Sequence, residues 1–236
     1  MSDVAFAFLL TLLAGLSTTL GAALAFVIKN PGKYFLAFSL GFSGGVMLYI
    51  SFVELFPHAV ESVGEAKAIL AFFIGIAFIA LIDLAIPEAD NPHHFQRVEK
   101  DRHGNARNRR KVTAPMRTGM FIALAITIHN FPEGIATFAS ALTDANLGIV
   151  IAIAIALHNI PEGISVSVPI YYATGSRATA FKYSFISGIA EPMGAAVAYL
   201  VLMPFLSDEL LSMSLAFVAG IMVYISVDEI IPAAYS

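Results

Sequence analysis

Seven long apolar stretches run through this 236-residue chain, at about 4–28, 35–58, 68–86, 118–142, 147–172, 178–203 and 209–234. Each is long enough to cross a hydrocarbon core about 30 Å thick as an α-helix rising about 1.5 Å per residue. The first is expected to be a true first span rather than a signal peptide, because no Lys or Arg precedes it and its length exceeds a typical apolar signal core. The breaks between stretches carry Pro, Gly, Asn or charge, as at Asn30-Pro31-Gly32 and Gly175-Ser176-Arg177. The expected fold is an all-α integral membrane protein, a polytopic helix bundle whose single transmembrane domain covers 1–236. Composition agrees: 58% hydrophobic and 13% charged residues, against roughly 45–50% and 25% in soluble domains. That excludes a soluble protein and a disordered one, and a net charge of -4 argues against nucleic-acid binding. With no cysteine, thiolate catalysis and thiolate metal ligands are excluded, so any metal site is built from nitrogen and oxygen.

One connection differs from the rest. Residues 87–117 are polar and aperiodic and hold eight of the thirteen Lys and Arg residues, so a soluble, mobile loop is expected there. The other basic residues complete a pattern. Twelve of the thirteen fall on loops of one side or their edges, and Lys67 alone falls on the other. The positive-inside rule then puts 87–117 in the cytoplasm and the N-terminus outside, in a cell (inner) membrane.

Two internal repeats give the spans an organisation. HNFPEG at 129–134 recurs as HNIPEG at 158–163. SLGFSGGVMLYISFVELFPHA at 39–59 recurs as SLAFVAGIMVYISVDEIIPAA at 214–234, with eleven of 21 positions identical. An odd number of crossings separates each pair, so the copies run in opposite directions. Inverted repeats characterise secondary transporters, whose substrate site lies near the midplane where repeats meet.

Ionisable residues inside spans mark function by default. His129 to Glu133 on span four and His158 to Glu162 on span five both lie roughly 16–22 Å from the ends where their spans enter the bilayer, and Glu191 is at similar depth on span six. His and Glu at i, i+4 share a helix face, as do Asn and Glu at i, i+3. His129, Asn130 and Glu133 therefore converge, as do His158, Asn159 and Glu162. Pro132, Pro161 and Pro192 are expected to kink the helices beside them. Two imidazoles, three carboxylates and two amides, without sulfur, suit Zn, Fe(II), Mn, Co or Cd. The cluster leaves one ion or two open.

These motifs resemble the signature of the ZIP (Zrt/Irt-like) divalent-metal transporters, in particular a bacterial branch. SLGFSGGVMLYIS at 39–51, SGIAEPMG at 187–194 and AGIMVYISVDEIIP at 219–232 extend the likeness over nearly the whole chain. The resemblance implies a binuclear metal site formed by His129, Asn130, Glu133, His158, Asn159, Glu162 and Glu191. It also implies eight spans where seven are visible, the mate of span three being absent from this chain.

The expected function is uptake of divalent transition-metal ions into the cytoplasm, zinc first, with iron, manganese, cobalt or cadmium as further cargo and no separate cofactor. Glu54 and His58, four residues apart near the outer end of span two, would form an entrance. Asp83, Asp228 and Glu229, near the inner ends of spans three and seven, would form an exit. His93, His94 and His103 in the 87–117 loop are a weak metal-catching signal, and a plain solvated linker is the simpler reading. The expected partners are metal ions and the lipid bilayer, with a homodimer left open. The rival class is an intramembrane metal-dependent hydrolase. It lacks an H-E-x-x-H motif and a spare general base, so the protein is expected not to be an enzyme.

Overall fold

The computed structural model describes residues 3–27, 33–85, 113–202 and 207–235, and among these every regular element is helical. Helix α1 spans Asp3–Ala25. Helix α2, Lys33–Tyr49, passes into a π-helical segment, Ile50–Leu55, and then into α3, Phe56–Val63. Gly64, at φ 84°, makes the turn into α4, Glu65–Ala85. Helix α5 covers Thr113–Thr143 and α6 covers Ala145–Thr174. The next span is split into α7, Arg177–Gly188, and α8, Ala190–Leu202. Helix α9, Asp208–Ile225, continues through a second π-helical segment, Ser226–Ile230, into α10, Ile231–Ala234.

Local sequence explains the ends. Asp144, the single residue between α5 and α6, caps α6 by accepting the Leu147 N–H at 2.8 Å. Ser176 and Ser207 cap α7 and α9 in the same way. Gly175 closes α6 in the left-handed conformation, at φ 66°. The three span-centre prolines behave differently. Helices α5 and α6 continue through Pro132 and Pro161, whereas the helix before Pro192 stops at Ile189.

Six helical stretches, 3–25, 37–63, 65–84, 145–174, 177–201 and 208–230, are long and apolar enough to cross a membrane. The 31-residue α5 adds the fourth span of the seven expected. Two boundaries move. Span two runs on to Val63 because Gly64 alone makes the turn. Helix α5 starts at Thr113, inside the stretch read as loop. The rest of that loop, with His93, His94 and His103, lies outside the described residues.

Helices α5 and α6 form a central antiparallel pair. Helix α1 lies along α6, α7 and α8 along α5, and α4 along α9, with α9 against α5 and α2 against α6. Relative directions follow from paired residues. Ala14 meets Asn159 and Thr18 meets Gly163, so α1 and α6 are parallel. Gly41 and Gly44 of α2 face Ala234 and Ile230, so the copies of the longer repeat run oppositely. The bundle has an apolar core, yet it also buries polar residues and exposes large apolar ones, unlike a soluble protein. Ser, Thr, His, Asn and Glu are buried along the helix contacts. Leu13, Phe73, Leu81, Leu84 and Leu200 are exposed on the outside. Where lipid is the solvent, burying Leu gains nothing, and small or polar residues bring helices together.

Candidate metal centre

The HNxPEG motifs sit roughly halfway along α5 and α6, on the faces the two helices turn to one another. Their i, i+4 spacing puts His and Glu one turn apart on each helix, and the antiparallel arrangement then crosses the pairs. His129 Nε2 lies 3.1 Å from Glu162 Oε2, and His158 Nε2 lies 3.0 Å from Glu133 Oε1. All four residues are at most 3% exposed, so bulk water does not solvate these groups; His158 and Glu133 satisfy each other by a hydrogen bond, whereas His129 and Glu162 stand at ion-pair distance without one. The His158 ring is held from its far side, Nδ1 standing 3.2 Å from the Ala154 carbonyl oxygen.

The two asparagines anchor the pair to its neighbours. Asn130 Nδ2 donates to the Ser187 carbonyl of α7 at 3.1 Å, and Asn159 Nδ2 donates to the Ala14 carbonyl of α1, also at 3.1 Å. Asn159 Nδ2 also donates to Glu191 Oε1. Glu191 opens α8 immediately after the break before Pro192, and it is buried. The glycines of the motifs permit this closeness. A Cβ on Gly134 would strike the Glu191 backbone, and one on Gly163 would strike the Thr18 carbonyl.

All seven residues expected from the sequence are therefore gathered in one buried centre. They are not a finished cage. Among the described residues no three His, Asp or Glu side chains are grouped to hold an ion. Oxygens remain free of hydrogen bonds within the protein: Asn130 Oδ1, Asn159 Oδ1, Glu133 Oε2 and Glu191 Oε2, all buried. The centre is thus a set of hard oxygen and borderline nitrogen donors, suited to a divalent transition-metal ion.

The pathway residues lie on other elements, and Glu229 is near enough to act on the charge of His129. Glu54 lies in the π-helical segment of span two and His58 in α3, both half-buried. Asp83 is buried near the end of α4 and accepts the Tyr224 hydroxyl at 3.3 Å. Asp228 and Glu229 lie in the π-helical segment after α9, Asp228 exposed and Glu229 half-buried.

Sequence reasoning missed two residues and a repeat. Ser43 of α2 is fully buried, and its Oγ donates to Glu162 Oε1 at 3.3 Å. A Ser amid Gly and Phe reads as helix-packing filler, and its contact joins positions 119 residues apart. Tyr224 was also passed over. The missed repeat matches 7–28 with 180–201: Ala7, Phe8, Gly15, Gly21, Ala22, Ala23 and Ala25 reappear as Ala180, Phe181, Gly188, Gly194, Ala195, Ala196 and Ala198. The paired glycines were the available signal.

A bundle of membrane-length helices, built from inverted repeats around a buried polar centre, defines a multi-pass membrane transporter. The family profile described as "ZIP Zinc transporter" matches residues 84–236, and the chain belongs to that family. It is accordingly a divalent-metal transporter and not an enzyme, and the hydrolase reading has no support. Curated relatives extend the likeness over the rest of the chain. The chain is 51% identical to the zinc transporter ZupT of Clostridium perfringens, over 99% of its own length and 88% of the relative's. Identity to ZupT of Oceanobacillus iheyensis is 53%, and to that of Chlorobium phaeovibrioides 54%, each over 99% of this chain and 90% of the relative.

Proposed function

We propose that the protein takes up zinc across the cell's inner membrane into the cytoplasm, with Fe(II), Mn, Co and Cd as weaker cargo. The site is the cluster His129, Asn130, Glu133, His158, Asn159, Glu162 and Glu191, within a single transmembrane domain. Glu54 and His58 form the entrance, and Asp83, Asp228 and Glu229 form the exit. The protein needs no resident cofactor. The observation that carries this reading is the crossed pairing of two buried imidazoles with two buried carboxylates at 3.0 and 3.1 Å on antiparallel helices. Such a pair is expensive to bury unless its groups serve a charged cargo.

The chemistry of loading follows from the pairing. Between His158 Nε2 and Glu133 Oε1 a proton is shared, whichever of the two carries it. A cation that takes both atoms as ligands displaces that proton, since metal ligands must be deprotonated. Protons therefore compete with metal, and apparent zinc affinity falls as pH falls. Zinc uptake into proteoliposomes tests the assignment. Glu162→Ala is expected to lower uptake at least tenfold, and uptake equal to that of the unaltered protein would remove Glu162 from the site.

A further inference from the structure

The third repeat is more than a sequence likeness, because the contacts at the centre obey it. Residue i of α1 matches residue i+173 of α7 and α8, and residue i of α5 matches i+29 of α6. A Cβ on Gly15 would strike the Gly188 carbonyl oxygen, and a Cβ on Gly188 would strike that of Gly15. Such reciprocity is what a two-fold axis imposes on residues beside it. Gly21 meets the Ile160 carbonyl, and its mate Gly194 meets that of Phe131, the mate of Ile160. Gly163 meets the Thr18 carbonyl, and Gly134 meets that of Glu191. Asn159 donates to Ala14, and Asn130 donates to Ser187, both at 3.1 Å. His129–Glu162 and His158–Glu133 are mates as well. The centre therefore has two pseudo-equivalent halves.

The halves differ in charge at one place. The mate of Glu191 is Thr18. On the Glu191 side, the carboxylate accepts from Asn159. On the other side, Thr18 is fully buried, and neither its Oγ1 nor Asn130 Oδ1 has a hydrogen-bond partner in the protein. Buried hydroxyl and amide groups are nearly always satisfied, by protein or by ordered water. These two oxygens, the counterparts of Glu191 and Asn159 in the other half, thus suit a polar guest. Thr is shorter than Glu and neutral, so a water bound to the cargo ion fits this half better than the ion itself.

We propose that Thr18 Oγ1, with Asn130 Oδ1, is a second and neutral half-site that holds a water of the hydrated divalent cation, and that Thr18 sets the carboxylate count of the centre at three. The inference rests on the transport reading above. Its consequence is a limit on affinity. With neutral imidazoles, three carboxylates leave the centre one charge short of neutralising two divalent ions, whereas a fourth would balance them. Cargo that must leave is served by a site that binds favourably but not too tightly.

The test is zinc uptake and zinc binding by the purified, monodisperse full chain carrying Thr18→Val, Thr18→Ser or Thr18→Asp, with Glu162→Ala in parallel. Thr18→Val keeps the shape and removes the hydroxyl. It is expected to raise KM for zinc about three- to tenfold with the maximal rate kept. Thr18→Ser is expected to restore the original KM, which a packing role for the side chain would not produce. Thr18→Asp is expected to lower the zinc Kd at least tenfold and to slow turnover. An unchanged KM in Thr18→Val, or equal impairment in Thr18→Val and Thr18→Ser, would overturn the half-site while Glu162→Ala remained inactive. Normal uptake by Glu162→Ala would instead overturn the underlying reading of the centre.

Discussion

At the residue scale, the centre depends on side chains held by partners from other helices. Asn159 is the clearest case, since its one amide nitrogen serves both the Ala14 carbonyl and Glu191. Asn159→Leu is close in volume but leaves the Glu191 carboxylate unpaired, while the Ala14 carbonyl keeps the Ser17 hydroxyl. Groups that orient ligands are typically worth 10–100-fold in metal affinity, so isothermal titration of Asn159→Leu with zinc is expected to show a Kd raised by about that factor. Ser43 acts more weakly, through a single 3.3 Å bond to Glu162. A hydrogen bond to a charged group contributes about 1.5 kcal/mol at the low end, which is roughly tenfold in affinity. Ser43→Ala is therefore expected to raise the zinc KM up to tenfold, and a KM within twofold of the original would remove Ser43 from the centre.

At the scale of elements, helices here meet through glycine rather than through large apolar knobs. Helices α4 and α9 are an example. A Cβ on Gly75 would strike the Phe217 carbonyl, and one on Gly220 would strike that of Phe72. Backbone cannot yield as a side chain tip can, so the helices must part. Gly45 is the repeat mate of Gly220 in α2, and a Cβ there would meet nothing within 4 Å. The two positions share a sequence context and differ in neighbours. Gly220→Ala is expected to cost about 1–3 kcal/mol of overpacking, seen as a lower thermal midpoint in detergent. Gly45→Ala is expected to leave the midpoint unchanged or raise it slightly, by the helix propensity of Ala over Gly, up to about 1 kcal/mol. Equal losses in both variants would contradict this account of helix packing. The π-helical segments Ile50–Leu55 and Ser226–Ile230 tell a similar story of matched local structure. Their Ser51 and Ser226 hydroxyls both donate back to the carbonyl four residues earlier.

At the scale of the whole molecule, the proposed orientation in the membrane rests on charge asymmetry. Ser207 and Lys67 fall on the side poor in basic residues, and Arg177 falls on the rich side. The absence of native cysteine makes single-cysteine labelling direct. Intact cells carrying Ser207→Cys are expected to react with a membrane-impermeant maleimide, and cells carrying Arg177→Cys only after permeabilisation. The opposite pattern would reverse the proposed direction of uptake. The bundle is also divided by how closely its helices approach. Backbone-level contacts tie α1, α5, α6, α7 and α8 into one group and α4 to α9 in another. Between them lie side-chain contacts of the largest apolar cluster, which includes Met47, Ile151, Ile155, Leu215 and Met222.

The sequence alone pointed to the spans, their alternating directions and seven residues that the structure gathers in one buried centre. Hydrophobic length and the i, i+4 spacing of His and Glu are local properties, and the bilayer turns them directly into helices and depths. It also exposed two of the three inverted repeats, because HNxPEG and the longer motif keep distinctive polar residues. Only the tertiary structure decided which imidazole faces which carboxylate, since the crossing of pairs depends on how α5 and α6 lie against each other. It alone brought Ser43 to Glu162 and set Thr18 opposite Glu191. The first joins residues 119 positions apart, and the second relates residues 173 positions apart through an approximate two-fold axis. No local pattern encodes an axis, which exists only once helices from both halves of the chain have packed around it.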